Sequence, residues 1–403
     1  MLKRLHLLLA LFILTVNAAM AQITTSGISG KITSDGENVI GATVTATHQP
    51  SGTVYRAVTN IDGRYTIQGM RPGGPYKVDI SYIGYKDKVI KNLNLSLGET
   101  ENISCSLQED AHQLQEVVVS GKAGLAASRT GAATSMTAEQ INNMPSITHG
   151  IADVARLNPQ LTVTNSGNMS FAGVNNRYNN FMIDGAANND VFGLASSGNN
   201  GGQAGAQPVS METIEQIQVS VAPFDVRQSG FTGGAINAIT KSGTNQFHGS
   251  AYYYGYNQDL IGTKYPYLDG TGYAPKYQKQ TQYNMGVTLG GPIIKNKLFF
   301  FANYERTNKE YPNLYGVDSG NSKVNTEQAK DILTMLQNIA EKQGVNFNDY
   351  YSNQDIYTRS DKAGLKLDWN INEFNKFAIR WSLVKAEQLS GGGSASSLNS
   401  YGY

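Results

Sequence analysis

The sequence predicts a mainly β protein in three parts: a small β-sandwich, an α+β domain, and the first strands of a transmembrane β-barrel. Three observations lead there. Glycine (43) and tyrosine (23) are abundant while charged residues make up only 16%, a composition that suits turns, bulges and aromatic girdles better than packed helices. Short alternating runs fill residues 28–107, and longer ones recur beyond Gly243. The N-terminus reads as an address for export rather than as structure.

That address spans residues 1–21. Lys3 and Arg4 give a positive start, Leu7 to Val16 form a short apolar core, and Ala19-Met20-Ala21 supplies the small residues of a cleavage site, so the mature chain is expected to begin at Gln22. The apolar run is too short for a spanning helix, which needs roughly 20 apolar residues. Without Lys3 and Arg4, 30 basic residues face 31 acidic ones, so the charge balance gives no reason to expect nucleic-acid binding. The lone cysteine, Cys105, has no internal disulfide partner. Between Ile103 and Leu107 it reads as a small buried apolar residue.

Residues 22–108 read as the sandwich. Ile28 to Thr33, Ala42 to Ala46, Val54 to Thr59, Tyr65 to Ile67, Tyr76 to Ile80 and Leu93 to Leu97 alternate, with turns at Ser34-Asp35-Gly36, Pro50-Ser51-Gly52 and Asn60 to Gly63. About seven strands in so short a span make a sandwich. Gly41-Ala42-Thr43-Val44, Thr59 to Tyr65, Arg71-Pro72-Gly73 and Ser81 to Tyr85 resemble the carboxypeptidase regulatory-like, transthyretin-like domain. Val39-Ile40 stands where that family often has a proline. The resemblance implies no catalytic residues. Asp62 reads as a turn residue rather than a calcium ligand, because no second acid stands at ligand spacing.

Residues 109–124 form a polar linker that contains Glu116, Val117, Val118, Val119 and Ser120. A short β-prone run in such a setting can add to another protein's sheet edge, or pack as an ordinary strand in its own chain. In residues 125–243, Thr137 and Gln140 have the form of a capping box ahead of a helix over Ala138 to Met144. A second helix is expected over Ile151 to Leu157, and strands over Leu161 to Thr164, Phe181 to Ile183, Ile214 to Val221 and Ala235 to Thr240. Phe171 to Arg177 leading to Phe181-Met182-Ile183-Asp184-Gly185, then Met211 to Val219, then Gly230 to Ser242 around Gly233-Gly234, resemble in order the plug of TonB-dependent receptors. Phe224-Asp225 and Thr240 to Ser250 are most similar to the Oar-like branch. The resemblance implies that Glu116 to Ser120 is the TonB box, pulled by a TonB-type periplasmic protein. Arg177 and Asp184 either latch the plug to a barrel wall or pair with each other. Gly233 and Gly234 read as a tight turn or a close chain crossing. The loop from Asp190 to Gln207 is a linker or a ligand contact.

Residues 244–403 carry the longer strands. Phe247 to Asn257 is dense in tyrosine. Tyr283, Met285, Val287 and Leu289 share one face of the next run, and Leu298 to Arg306 follows. Ala363, Leu365, Leu367, Trp369 and Ile371 oppose Lys362, Lys366, Asp368 and Asn370. Phe374 to Ala386 repeats the pattern with Phe377, Ile379, Trp381 and Leu383. Strands of about ten residues, apolar outward and polar inward, are what an outer-membrane barrel needs. Links at 292–296 and 372–373 are short, those at 258–281 and 307–360 long, and Thr326 to Lys342 has helical spacing. Five or six strands fit, against 22 in plugged transporters. No terminal strand is expected at Ser400 to Tyr403, and the chain reads as the N-terminal part of a receptor.

The expected function is energy-coupled uptake across the outer membrane of an unidentified extracellular ligand, in contact with outer-membrane lipid. The alternative is an Oar-like protein of adhesion or secretion. No cofactor or metal site is expected. His6, His48, His112, His149 and His248 are scattered, and neither HExxH nor GxSxG occurs, so an enzyme is not expected.

Overall fold

The computed structural model describes residues 24–109, 117–120, 132–221 (apart from 145, 147, 148, 165–167, 191, 194 and 196), 231–260, 279–313, 326–344, 355–394 and 397–402. The export address and Glu116 lie outside these residues.

The sandwich is built from β1 (Ser26–Ser34), β2 (Glu37–Asn38), β3 (Thr43–His48), β4 (Thr53–Val58), β5 (Arg64–Met70), β6 (Gly73–Ser81), β7 (Lys88–Leu95), β8 (Thr100–Asn102) and β9 (Cys105–Ser106). A tenth strand, β10 (Val117–Ser120), joins it from the linker. One sheet pairs β2, β1 and β5, with β8 and β9 parallel to β1, and the other runs β10-β7-β6-β3-β4. Alternation decides what lies between them. Val44, Ala46, Tyr76, Val78 and Ile80 meet Ile28, Ile32, Tyr65 and Ile67 in one buried core. Each valine or isoleucine among them contributes about 1.5–3 kcal/mol by leaving water. Cys105 is half-buried against this core, and burial raises its thiol pKa. Asp62 lies in the turn closed by Asn60, whose side chain accepts from the Asp62 and Arg64 amides.

The second unit holds β11 (Ala132–Thr137), α1 (Ala138–Asn143), α2 (Ile151–Ala155), β12 (Leu161–Val163), β13 (Met169–Phe171), β14 (Asn180–Ile183), β15 (Ala186–Ala187), β16 (Ile214–Val221) and β17 (Gly234–Thr240). The capping box at Thr137 and Gln140 starts α1, so two backbone N–H groups find partners there. The sheet runs β11-β16-β17-β14-β15, with β14 parallel to β17. One face is apolar: Phe181, Ile183, Ile217, Val219, Ile236 and Ala238 pack with Ile151 and Val154 of α2. The opposite face buries Gln216, Gln218, Ser220 and Asn237. A sheet with a polar buried face must meet polar neighbours, since an unpaired buried polar group costs about 1–3 kcal/mol.

Gln216 and Gln218 find theirs in the sandwich, at the Leu97 backbone. The third unit is an antiparallel meander of β18 (His248–Asn257), β19 (Thr281–Ile294), β20 (Leu298–Tyr311), β21 (Ile356–Asn370), β22 (Lys376–Ser394) and β23 (Ser397–Gly402). The period-two pattern sorts its faces. Lys362, Lys366 and Asp368 are buried, whereas Leu365 is 41%, Trp369 48% and Trp381 56% exposed. That inversion of the soluble rule, with apolar side chains outside and charges inside, is the arrangement of a barrel wall in lipid. The helix α3 (Thr326–Lys342) lies in the long link between β20 and β21, as its spacing predicts. Two expectations are corrected. Ser397–Gly402 is a strand antiparallel to β22, not a strandless end, because backbone pairing suffices where side chains give no alternation. The second long link, expected over 307–360, is shorter than the sequence suggests, because β20 and β21 continue to Tyr311 and from Ile356.

Candidate functional site

Three junctions join the units, and their chemistry differs. The first lies between the second unit and the barrel wall at Asp184. This residue follows β14 in a turn where Asp184 (φ 48°) and Gly185 (φ 80°) both take left-handed backbone, a conformation glycine adopts freely and Asp tolerates. Its Oδ1 accepts from the Thr240 amide at 2.8 Å and its Oδ2 from the Thr240 hydroxyl at 2.6 Å. From the wall, Lys366 Nζ reaches Oδ1 at 3.4 Å and Arg380 Nε reaches Oδ2 at 3.5 Å. Lys366 also donates to the Thr240 carbonyl at 3.1 Å. Arg177 is not part of this cluster. It is exposed, and its amide caps on the Asn175 side chain at 3.0 Å.

The second junction is tighter. Glu305 of β20 accepts from Lys362 Nζ at 2.5 Å, from Ser210 Oγ at 2.6 Å and from Tyr252 Oη at 2.7 Å. Ser210 belongs to the inner unit and the other three residues to the wall. The Glu305 and Lys362 side chains are 8% and 5% exposed. Above it the His149 ring stacks on Tyr254 at 3.7 Å, and Tyr254 Oη donates to Glu212 at 3.0 Å.

The third junction seats the sandwich beneath both. The side chains of Gln216 and Gln218 on β16 grip one residue: Gln216 Oε1 accepts from the Leu97 amide at 2.7 Å, and Gln218 Nε2 donates to the Leu97 carbonyl at 2.9 Å. Leu97 itself packs on Ile239. At the barrel's short-turn rim, Asn370 Nδ2 donates to Thr53 Oγ1 at 2.9 Å, the Asn245 amide to the Pro50 carbonyl at 2.8 Å, and Arg71 pairs with Asp368 at 3.6 Å. A cavity of about 390 Å³ remains where the three units meet, bordered by His48, Arg71, Asp184, Lys366 and Lys376. Burial, then the neighbouring Arg71, lowers the His48 pKa to about 3, so this imidazole is neutral at ordinary pH.

The glycines at 233 and 234 are places of close approach. A Cβ on Gly234 would stand 2.4 Å from the Phe171 ring, and one on Gly233 2.3 Å from Asn179 Oδ1. In the loop after β15, Asn189 and Asn199 form a bridge, and the 3-10 turn at Gly202–Ala204 touches β22. No cluster of His, Cys, Asp and Glu able to hold a metal occurs among the described residues.

The wall partners of Asp184 lie 182 and 196 positions further along the chain, so no spacing rule reaches them. A signal existed nonetheless: Lys366 and Arg380 each stand on the polar face of an otherwise lipid-facing strand. Glu305 and Ser210 gave no such signal and were missed.

An inner α+β unit held by buried charges against a wall whose outer face is apolar defines the plugged outer-membrane barrels. Family comparison agrees along the chain: residues 27–108 match the Carboxypeptidase regulatory-like domain, 126–236 the TonB-dependent Receptor Plug Domain and 239–317 an Outer membrane beta barrel domain. With these three domains in this order, the chain has the make-up of a TonB-dependent outer-membrane receptor. It is 29% identical over 273 residues to the TonB-dependent transporter Oar of Myxococcus xanthus, covering 65% of this chain and 24% of that protein. It is 25% identical over 188 residues to the probable TonB-dependent siderophore receptor PirA of Acinetobacter baumannii, covering 43% and 22%. The chain thus spans about a quarter of the length of these relatives. Among solved structures it is similar to the siderophore receptor PirA from Acinetobacter baumannii (TM-score 0.42, 18% identity, 64% of this chain and 32% of that one). It is also similar to the outer membrane transporter YddB from Escherichia coli (TM-score 0.43, 16% identity, 65% and 34%).

Proposed function

We propose that this chain belongs to an energy-coupled importer of the outer membrane, delivered there by residues 1–21 as a signal peptide. In this reading a ligand of unassigned class binds from outside. A TonB-type periplasmic protein then pulls on Glu116 to Ser120, and the plug moves along the wall. Asp184 and Gly185 shape the turn that must let go, Gly233 and Gly234 keep the chain crossing behind it tight, and Arg177 stays with the plug surface. The supporting observation is the Asp184 cluster. A carboxylate held by two wall cations at 3.4 and 3.5 Å is a polar latch of moderate strength, and a mechanical step can release such a latch without unfolding the plug core. The non-enzymatic character of the family favours carriage over catalysis.

The test is capture. The receptor lacking residues 116–120, in detergent or in its own envelope, should no longer be retained by the immobilised periplasmic domain of the TonB-type protein, and uptake should stop. Undiminished capture would overturn the reading.

A further inference from the structure

The segment assigned above to the periplasmic partner is already part of a sheet. β10 pairs in parallel with β7 of the sandwich, Val117 opposite Lys88, Val118 opposite Val89, Val119 opposite Ile90 and Ser120 opposite Lys91. Without it, β7 would end its sheet. An end strand presents a row of unpaired N–H and C=O groups and accepts whatever extended chain is at hand. Here the chain at hand is its own. The sandwich closes with Lys86 N donating to the Gln108 carbonyl at 2.9 Å and a bridge between Tyr85 and Glu109. Only residues 110–116 separate that closure from β10, so the tether holds the segment near the edge at an effective concentration on the order of millimolar. The sequence left two readings of this run, a strand for a partner's sheet and a strand for its own chain. The two are compatible if they alternate in time.

We propose that the β7 edge is the resting seat of residues 117–120, and that the periplasmic partner takes the segment by strand exchange. This inference rests on the reading of 116–120 as the partner-binding run. Strand addition draws its affinity from main-chain hydrogen bonds, and a seated segment has already committed one edge of its backbone to β7. The sandwich is in turn held on the plug through Leu97 and on the barrel rim through Thr53 and Pro50. A pull applied to a seated segment would therefore load the sandwich before the plug. Unseating routes the load to the plug instead. The seat thus keeps the receptor uncoupled until exchange occurs, and it lowers the apparent affinity for the partner by the fraction of time the segment is free.

The test locks the seat. Val89→Cys and Val118→Cys, combined with Cys105→Ser in the intact receptor, place two thiols at a register pair. Oxidation should join them in most molecules without added partner. The oxidised receptor should then be captured by the partner's periplasmic domain at least about tenfold more weakly than the reduced one, with reductant restoring capture. In the unmodified receptor, amides of residues 88–91 should exchange faster once partner is bound. Failure of the disulfide to form, or full capture by the oxidised form, overturns the seat; the second outcome would mean that the partner adds to the outer edge of β10. Loss of capture on deleting residues 116–120, tested in parallel, shows whether the partner reading survives such a failure. If deletion has no effect, the partner reading falls with it.

Discussion

The two junctions between plug and wall use the same chemistry at different strengths. At Glu305 a carboxylate is enclosed by an ammonium and two hydroxyls at 2.5–2.7 Å, with both charged side chains under 10% exposed. At Asp184 the short contacts, 2.8 and 2.6 Å, stay within the plug, to Thr240, and the wall reaches in only at 3.4 and 3.5 Å. One carboxylate therefore belongs to the wall and holds the plug through Ser210. The other belongs to the plug and is held loosely by the wall. The contrast shows that a buried polar interface need not be uniform. One site can fix register while the other can part.

The sharpest way to break this comparison is to remove one partner of the tight site. Glu305→Leu leaves the Lys362 ammonium buried and unpaired, and should cost about 3–5 kcal/mol. The thermal unfolding midpoint of the receptor in detergent would report it. Glu305→Leu with Lys362→Met should recover most of that loss, because the pair's own net contribution is small once both charges go. If the single variant unfolds no earlier than the native receptor, the two sites are not different in kind.

Asp184→Asn should do less to stability and more to mobility. It keeps an acceptor for the Thr240 amide but removes the charge that draws in Lys366 and Arg380, a loss of about 1.5–3 kcal/mol. Hydrogen exchange at residues 181–184 and 234–240 should accelerate, with the sandwich amides unchanged. Protection equal to the native receptor would reassign the latch. Gly234→Ala probes the same strand from behind: its new Cβ would meet the Phe171 ring at 2.4 Å, and such overpacking costs about 1–3 kcal/mol. A crystal structure or a melt would show whether Phe171, which is fully buried, can give way.

How much of this was written in the chain depends on the range of the interaction. Alternation in β19, β21 and β22 gave the wall and its orientation, because Leu365, Trp369 and Trp381 on one face and Lys362 and Lys366 on the other are a local pattern. The capping box at Thr137 was equally local. β11 was not foreseen: Ala132 to Thr137 is small and polar, and it becomes a strand because β16 offers it backbone pairs from Val221 to Gln216. The site divides in the same way. Asp184 stood out from its motif, but its partners follow from how the wall closes around the plug, and Arg177 beside it proved to be exposed.

A titration separates the sandwich from the wall. His48 is buried, its Nδ1 sits 2.7 Å from Ser51 Oγ, and its pKa of about 3 in the fold lies below the ordinary 6.5. The unfolded chain therefore binds the proton first, so His48 lowers sandwich stability as pH falls from about 6.5 toward 3. At pH 5 the loss should be about 1–2 kcal/mol. His48→Gln should flatten this slope, read as the pH dependence of sandwich amide exchange. A slope unchanged by the substitution would move the titration to another group.

The smallest effect belongs to the rim. Arg56 and Glu373 make a well-placed ion pair at 2.8 Å between sandwich and barrel, but both side chains are more than half exposed, 53% and 54%. Water and salt screen such a pair, and two long side chains lose rotamer freedom to make it. Arg56→Ala should change stability by less than about 0.5 kcal/mol and leave the sandwich seated. Gln216→Leu, which removes an acceptor from the buried Leu97 amide, should cost about 1–3 kcal/mol and loosen it. Limited proteolysis between residues 109 and 132 reads both. Faster cleavage in Arg56→Ala than in Gln216→Leu would mean that the sandwich is held by the barrel rim rather than by the plug, and a pull on the linker would then load the wall.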